Sequence, residues 1–334
     1  MDAEVAARNA LKCVLEAEKG ESIVIFCDEE KMDVGKAFVG GAIALGLQTR
    51  LTPLEAHPET IRDQVPPKVV SILKQSSAIY INLMRGIREE APFRIELINL
   101  ETKERKARLG HCPGITLDML TEGALALSEE EHERMQCFAD DLVKKLKGAA
   151  RIQITSPTGT KISLSIEGRS FFTDTIIDKQ KMNWMNLPTG EVTVAPVENS
   201  AEGELICDLA AGGIGPIATP ITFNVHKGKV QSYISKDPQT LNRIRDSLNT
   251  DKGSSTIGEF AIGINPKARL SDEFLELEKI FGTIHIAFGN NSDFPGGQNR
   301  SKNHLDLLVS KPTVRISDKN GSSTYVLEDG AFKS

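Results

Sequence analysis

Near its C-terminal end the sequence has a histidine and an aspartate two positions apart. His304 and Asp306 are followed by the apolar run 307–309, which predicts a strand. Side chains at positions i and i+2 of a strand point to the same side, so the two groups would project together from a rigid element. A neutral imidazole beside a carboxylate offers one nitrogen and one oxygen ligand to a borderline divalent metal such as zinc. The alternative is that Asp306 only orients His304 or pairs with it.

Three further residues have sequence contexts that predict burial. His285 lies between two isoleucines in the segment 282–289, which alternates as a strand does, and it could also be a satisfied core histidine. Glu191 and Glu259 each follow a glycine and begin an apolar run. A buried carboxylate needs a partner or takes up a proton. A metal ion is one such partner, and an arginine is the alternative.

Two glutamates, one aspartate and two histidines are together an inventory that can hold two divalent ions. We therefore predict a metal site formed by Glu191, Glu259, His285, His304 and Asp306. A bridging carboxylate, Glu259 or Asp306, would keep two ions about 3.5–4 Å apart. The sequence does not identify a general base, because Glu198 and Asp293 are only neighbours of these motifs.

The elements that must position these residues change character near residue 150. Before it, helical periods alternate with the apolar runs 21–27 and 78–83, which predicts βαβ units. After it, a hairpin with period two is predicted over 151–166, and strand-like segments with Gly, Pro and Asn turns continue to the end, apart from one helix over 238–248. The predicted fold is an α/β N-terminal domain (1–149) with a mostly parallel sheet, followed by a mixed, β-rich α+β metal-binding domain (150–334).

Length and composition indicate an ordinary globular protein of two domains. The 334 residues carry a formal net charge of −6, which argues against a nucleic-acid partner. No apolar stretch is long enough to span a membrane, and the N-terminus lacks the apolar centre of a signal peptide. The five cysteines form no CxxC pair. We expect reduced thiols in a soluble cytoplasmic protein that has neither a membrane nor a nucleic-acid partner.

A family resemblance joins these motifs. In their order along the chain, NLPTGEVTVAP (186–196), GEFAIGINP (258–266), GTIHIAFG (282–289) and SKNHLD (301–306) resemble motifs of thermophilic metallo-aminopeptidases of the aminopeptidase T and aminopeptidase S group, and GTKISLSIEGR (159–169) is also similar. The resemblance covers about residues 150–310. It implies that the five predicted residues bind a pair of metal ions (zinc, cobalt or manganese). It also implies a homodimeric metallo-aminopeptidase, of the leucyl aminopeptidase or aminopeptidase T type, that removes N-terminal amino acids from small peptides.

The chain departs from this family pattern at one position, and a second family shares part of the pattern. Peptidases of the group have a tyrosine seven residues after the third-motif histidine, where this chain has Ser292. Ring-cleaving 2,5-dihydroxypyridine dioxygenases resemble the chain in fold and in the HLD motif, and they hold one non-haem iron with two histidines and one aspartate. Their other histidine falls at Glu259, and they lack counterparts of Glu191 and His285, so the ligand pattern favours the hydrolase. An iron oxygenase, or a fold retained as a binding or scaffold protein, remains the alternative.

Overall fold

The chain divides into two compact units in a computed structural model, which describes residues 1–57, 59–102, 107–178 and 183–333. The N-terminal unit comprises Met1–Cys137, Asp174–Thr189 and Pro266–Arg269. The C-terminal unit comprises Phe138–Thr173, Gly190–Asn265 and Leu270–Ser334. The domain boundary near residue 150 remains a prediction from the sequence.

The described residues form eight α-helices and twenty β-strands. The helices are α1 (Ala3–Cys13), α2 (Met32–Ala44), α3 (Pro67–Leu73), α4 (Ala91–Thr102), α5 (Leu117–Thr121), α6 (Glu129–Leu146), α7 (Pro238–Leu248) and α8 (Phe274–Leu277). The strands are β1 (Ser22–Asp28), β2 (Gln48–Leu54), β3 (Ile79–Met84), β4 (Arg108–Pro113), β5 (Arg151–Thr155), β6 (Lys161–Ser165), β7 (Phe172–Thr173), β8 (Trp184–Asn186), β9 (Glu191–Val194), β10 (Glu202–Cys207), β11 (Ala210–Ala211), β12 (Gly215–Pro216), β13 (Ile221–His226), β14 (Lys229–Ile234), β15 (Ile257–Gly263), β16 (Ile284–Gly289), β17 (His304–Val309), β18 (Thr313–Ser317), β19 (Ser323–Glu328) and β20 (Ala331–Phe332). Two short 3-10 turns lie at Glu29–Lys31 and Arg88–Glu90.

Several helices begin where the sequence supplies a cap. The Asp2 carboxylate accepts hydrogen bonds from the first backbone amides of α1, and Asp237 does the same for α7, which has Pro238 in its first turn. Before α6, Glu131 N donates to Ser128 Oγ over 3.1 Å and Ser128 N donates to the Glu131 carboxylate over 2.8 Å. This reciprocal pair is a capping box, which fixes the start of the longest helix.

The N-terminal unit contains a five-stranded sheet in the order β2-β1-β3-β4-β8, and all of its pairs are parallel. Strands β1 and β3 are buried along nearly their whole length, as strands covered on both faces are. One face packs in a cluster that includes Leu11, Ile25 and Phe38, and the other packs in a cluster that includes Phe26 and Phe93. The predicted α/β class of the N-terminal half is confirmed.

A network of buried charges lies at the carboxyl ends of β1 and β3. Arg62 contacts Asp28 at 2.5 Å and Glu90 at 2.6 Å, and Arg85 also donates to Glu90. Desolvation raises the pKa of Glu90, but its hydrogen bonds with the two arginines outweigh that effect and lower the pKa to about 2. The two carboxylates are therefore compensated within the fold rather than left as buried charges.

The C-terminal unit contains two antiparallel sheets. The eight-stranded sheet has the order β14-β13-β10-β6-β5-β18-β19-β20, and the seven-stranded sheet has the order β12-β11-β17-β16-β15-β9-β7. Phe223 of β13 and Phe288 of β16 bring the two sheets into contact, with ring centroids 5.5 Å apart. The predicted β-rich class of this half is confirmed. Within the described residues, no helix is long and apolar enough to cross a bilayer.

Candidate metal centre

The five predicted ligands lie on four adjacent strands of the seven-stranded sheet. Glu191 begins β9, Glu259 lies on β15, His285 on β16, and His304 and Asp306 on β17. Directly opposed residues of antiparallel strands share a face of the sheet. The register therefore places all five side chains on one face.

Two alanines occupy the positions between these polar side chains. Ala287 lies opposite both Glu259 and Asp306, and Ala261 lies opposite His285. Both alanines are fully buried. Their small side chains leave the space above the sheet to the carboxylates and imidazoles, which is why the polar groups converge there.

The side-chain atoms of the five residues lie within a few ångströms of one another. His304 Nε2 is 3.0 Å from Glu259 Oε2 and 3.1 Å from Asp306 Oδ1. His285 Nε2 is 3.6 Å from both Glu191 Oε2 and Glu259 Oε1, and 4.0 Å from Asp306 Oδ1. Both imidazoles thus direct Nε2 at carboxylate oxygens.

Potential ligand atoms form three overlapping groups, each within 4.8 Å. The groups are Glu191–Glu259–His285, Glu259–His304–Asp306 and Glu278–His285–Asp306. Glu259, His285 and Asp306 each belong to two groups. This sharing is the arrangement that neighbouring metal positions with common ligands require.

The structure adds two residues that sequence reasoning missed, Glu278 and Lys279, which follow α8. The Lys279 side chain is 1% exposed, and its Nζ lies 2.8 Å from Glu191 Oε1 and 2.9 Å from Glu278 Oε1. Glu276, Glu278 and Lys279 stand in one charged stretch, which is typical of a solvated helix. The apolar residues at 274, 275 and 277 were the available sign that part of this stretch packs inward.

Two effects act in opposite directions on the pKa values of the cluster. One is desolvation by burial, and the other is pairing with groups of opposite charge. Desolvation lowers the pKa of His285, but the hydrogen bond that its ring donates to Glu259 and the charges of Glu259, Glu191 and Asp306 outweigh it and raise the pKa to about 9. Partial burial likewise lowers the pKa of His304, and Asp306 and Glu259 raise it well above its usual value. Desolvation raises the pKa of Glu259, while the two histidines lower it to a net value below its usual range. The carboxylates therefore hold negative charge that a cation would neutralise.

The donor set fits a divalent metal ion. The second ring nitrogen of His304, Nδ1, lies 3.1 Å from the carbonyl oxygen of Asn290, to which it can donate its proton. With Nδ1 engaged there, Nε2 is the nitrogen that faces Glu259 and Asp306, and a metal ion that displaced its proton would bind that nitrogen, as in other metal-ligating histidines. Imidazole nitrogens and carboxylate oxygens together suit zinc, manganese or cobalt.

The neighbouring acidic residues considered from the sequence lie outside the three groups of ligand atoms. The Glu198 carboxylate binds Arg169 at 2.7 Å and also accepts hydrogen bonds from Asn291 and Gln298. Asp293 accepts a hydrogen bond from Asn290. Glu198 and Asp293 therefore fix the loop between β16 and β17, which carries Ser292 as well.

Fold and side-chain cluster together define a candidate metalloprotein. The chain belongs to the thermophilic metalloprotease (M29) family, whose model matches residues 127–332. This confirms the family resemblance, and all five predicted ligands, Glu278 and Lys279 lie inside the matched region. Membership of a metalloprotease family implies a divalent metal ion. A search of curated proteins finds no match to the chain.

Two solved structures share the fold along almost the whole chain. AmpT from Thermus thermophilus is 19% identical, with a TM-score of 0.71, and the alignment covers 100% of this chain and 99% of that chain. The 2,5-dihydroxypyridine dioxygenase from Pseudomonas putida KT2440 is 16% identical, with a TM-score of 0.72, and the alignment covers 99% of this chain and 97% of that chain. At these identities the two similarities show the fold alone.

Proposed function

We propose that the protein is a metal-dependent aminopeptidase that removes N-terminal amino acids from small peptides, with one or two divalent ions (zinc, cobalt or manganese). The ligands would be Glu191, Glu259, His285, His304 and Asp306. The observation that carries this proposal is the convergence of these five side chains, from four strands, into overlapping groups of ligand atoms within 4.8 Å. Family membership supports the hydrolytic class.

Each residue of the cluster has a role that its position suggests. Glu259 and Asp306 would be shared between two ions, because each lies near both histidines. His304 would be held by the Asn290 carbonyl with Nε2 free to bind. Bound ions would lower the pKa of a water molecule and polarise the scissile carbonyl.

The charge of the cluster supports selectivity for a free amino terminus. Four carboxylates and one ammonium group surround the two histidines. A free substrate amine could bind one of these metal ions or pair with a nearby carboxylate. The same logic disfavours a peptide whose amino terminus is acetylated.

The competing hypothesis is a mononuclear iron dioxygenase that cleaves a ring such as 2,5-dihydroxypyridine, since a dioxygenase shares the fold. The ligand set argues against it. Glu191 and Glu259 both lie 3.6 Å from His285, which adds carboxylates that a site of two histidines and one aspartate does not need.

We also propose, from the family resemblance, that the protein is a homodimer in the cytoplasm.

Activity assays separate these hypotheses. The metal-free protein is loaded with zinc, cobalt or manganese and incubated with aminoacyl arylamides, short peptides and N-acetylated copies of the same peptides. The aminopeptidase hypothesis predicts metal-dependent release of amino acids from the free peptides only. Inactivity of the metal-loaded protein across the peptide panel would contradict it.

Two further measurements distinguish the alternatives. Oxygen uptake by anaerobically iron-loaded protein in the presence of 2,5-dihydroxypyridine would support the dioxygenase. If Glu191→Ala changes neither metal content nor any turnover, the chain is a binding or scaffold protein with an inherited fold.

A further inference from the structure

A buried lysine contacts two carboxylates of the candidate metal centre. Lys279 is one of the largest fully buried side chains of the described residues. A buried ammonium group requires compensation by charge and hydrogen bonds. The Glu191 and Glu278 carboxylates supply it, at 2.8 Å and 2.9 Å.

The contact determines how Glu191 faces the cluster. Its Oε1 is held by Lys279, while its Oε2 points at His285 Nε2 over 3.6 Å. The ammonium group binds Glu278 through Oε1 in the same way. One lysine thus holds one oxygen of two carboxylates and turns the other oxygen of Glu191 toward His285.

Glu259 is held in a similar way, but its donor is a neutral hydroxyl group. Thr193 Oγ1 donates to Glu259 Oε1 over 2.6 Å, and Glu259 Oε2 lies 3.0 Å from His304 Nε2. In both glutamates, a protein donor holds one carboxylate oxygen and the other oxygen faces an imidazole, although Glu259 Oε1 also lies 3.6 Å from His285 Nε2. Hydrogen bonds of this kind orient metal ligands in other proteins.

The backbone of Lys279 is fixed on both sides. Its amide donates to Glu276 O over 3.1 Å at the end of α8, and its carbonyl accepts the amide of Asn265 over 3.0 Å. The next residue, Ile280, passes so close to Gly263 of β15 that a Cβ at that position would lie 2.2 Å from the Ile280 carbonyl oxygen. Glycine is therefore required there, and the close approach anchors the lysine against the sheet.

We propose that Lys279 is a positioning residue of the metal centre, which orients Glu191 so that it offers a single oxygen to an ion beside His285. The inference rests on the proposed metal centre. Removal of an outer-shell partner typically lowers metal affinity about 10–100-fold. The loss is expected at the ion beside Glu191 and His285, because Lys279 contacts Glu191 and Glu278, each of which belongs to a group of ligand atoms that contains His285.

Simple charge repulsion makes the opposite prediction. An ammonium group close to a divalent cation repels it, so a neutral side chain at position 279 would then strengthen metal binding. The sign of the change in affinity therefore separates positioning from repulsion.

The test measures metal binding rather than turnover. Wild-type protein and the variants Lys279→Met and Lys279→Arg are equilibrated in buffers of defined free zinc, and bound metal per chain is counted by elemental analysis. We expect Lys279→Met to bind its weaker ion about 10–100-fold less tightly. Lys279→Arg retains the charge and the donors, so it should restore most of the affinity. Lys302→Met is the matched control, because Lys302 lies near His304 in sequence but its side chain is exposed.

A double-variant comparison shows whether Lys279 acts through Glu191. Lys279→Met should have little further effect on metal content in a protein that already carries Glu191→Ala. Equal or tighter zinc binding by Lys279→Met alone would overturn the proposal. If the wild-type protein binds no metal, the proposed function fails too; if it binds metal and Lys279→Met binds it equally well, only the role of Lys279 fails.

A measurement on the wild type covers the case in which the lysine variants do not fold. In a crystal structure of the zinc-loaded protein, Lys279 Nζ should remain within hydrogen-bond distance of Glu191 Oε1, with Oε2 on the ion. Coordination by both oxygens of Glu191, or a lysine turned away from it, would overturn the inference.

Discussion

Metal binding by this protein should be strongly pH dependent, because an ion must displace a proton from His285. The raised pKa of about 9 means that the metal-free ring is protonated at pH 7. A histidine binds metal only as the neutral imidazole. Metal affinity is therefore lowest at pH values where the His285 ring is protonated, and it rises with pH until the pKa is passed.

The size of the effect follows from the same pKa. A value of about 9 lies two units above pH 7, and each unit corresponds to about 1.4 kcal/mol. Displacing this proton therefore costs an ion about 3 kcal/mol at pH 7, or about a hundredfold in affinity. The raised pKa of His304 acts in the same direction.

Zinc affinity measured by competition with a chelator at pH 7, 8 and 9 checks this prediction. For the proton of His285 alone, we expect the affinity to rise about ninefold from pH 7 to pH 8 and about fivefold from pH 8 to pH 9, and the proton of His304 adds to this rise. Calorimetry in two buffers of different ionisation enthalpy counts the protons released at pH 7. His226→Ala is the control, since this imidazole pairs with Glu202 at 2.9 Å, outside the three groups of ligand atoms. Equal affinity at pH 7 and pH 9, with no proton release, would refute the reasoning.

Three further substitutions test separate parts of the structure. Thr193→Val removes the hydroxyl that holds Glu259, so zinc should bind about 10–100-fold more weakly when measured by chelator competition. Thr193→Ser keeps the hydroxyl and should bind zinc as the wild type does. Equal zinc affinities of the two variants would count against the contact. Glu90→Gln leaves two buried arginines without full compensation and should lower the free energy of unfolding by about 3–5 kcal/mol in urea. Since the pKa of Glu90 is lowered to about 2, its stabilisation exists above the usual carboxyl range and disappears as the pH falls toward 2, so the variant should show a flatter acid dependence than the wild type. Gly263→Ala places a Cβ 2.2 Å from a backbone oxygen, so thermal unfolding should shift to lower temperature and zinc binding should weaken; an unchanged melting temperature would contradict that close approach.

The sequence supported the strands of the site because periodicity and chemistry agreed there. The predicted strand after His304 is β17, and its alternation does place His304 and Asp306 on one face. The helix predicted over 238–248 is α7. In each case a local signal, period or cap, coincides with the tertiary environment.

Other parts of the fold depend on contacts that no local pattern contains. Strand β4 (Arg108–Pro113) is an interior strand of the parallel sheet and is buried along most of its length, yet its sequence mixes arginine, histidine, cysteine and proline. Its position is set by pairing with β3 and β8 rather than by β propensity. The short β8 comes from a segment far along the chain, which sequence periodicity cannot connect to the first four strands.

The cluster itself shows the same limit. Five ligands could be proposed because histidines and glutamates in apolar runs are conspicuous, whereas Glu278 and Lys279 stand in a charged stretch that resembles a surface helix. Sequence reasoning considered an arginine as the alternative partner of the glutamates, and the structure supplies a lysine for Glu191 instead. Which cation a buried carboxylate meets is decided by tertiary packing.

The most direct test of the central claim is the number of metal ions per chain. Purified protein dialysed against defined free zinc should contain one or two ions per chain, and His304→Ala should lose at least one of them while retaining its fold by circular dichroism. A wild-type protein without bound metal, or a His304→Ala variant with undiminished metal content, would contradict the account.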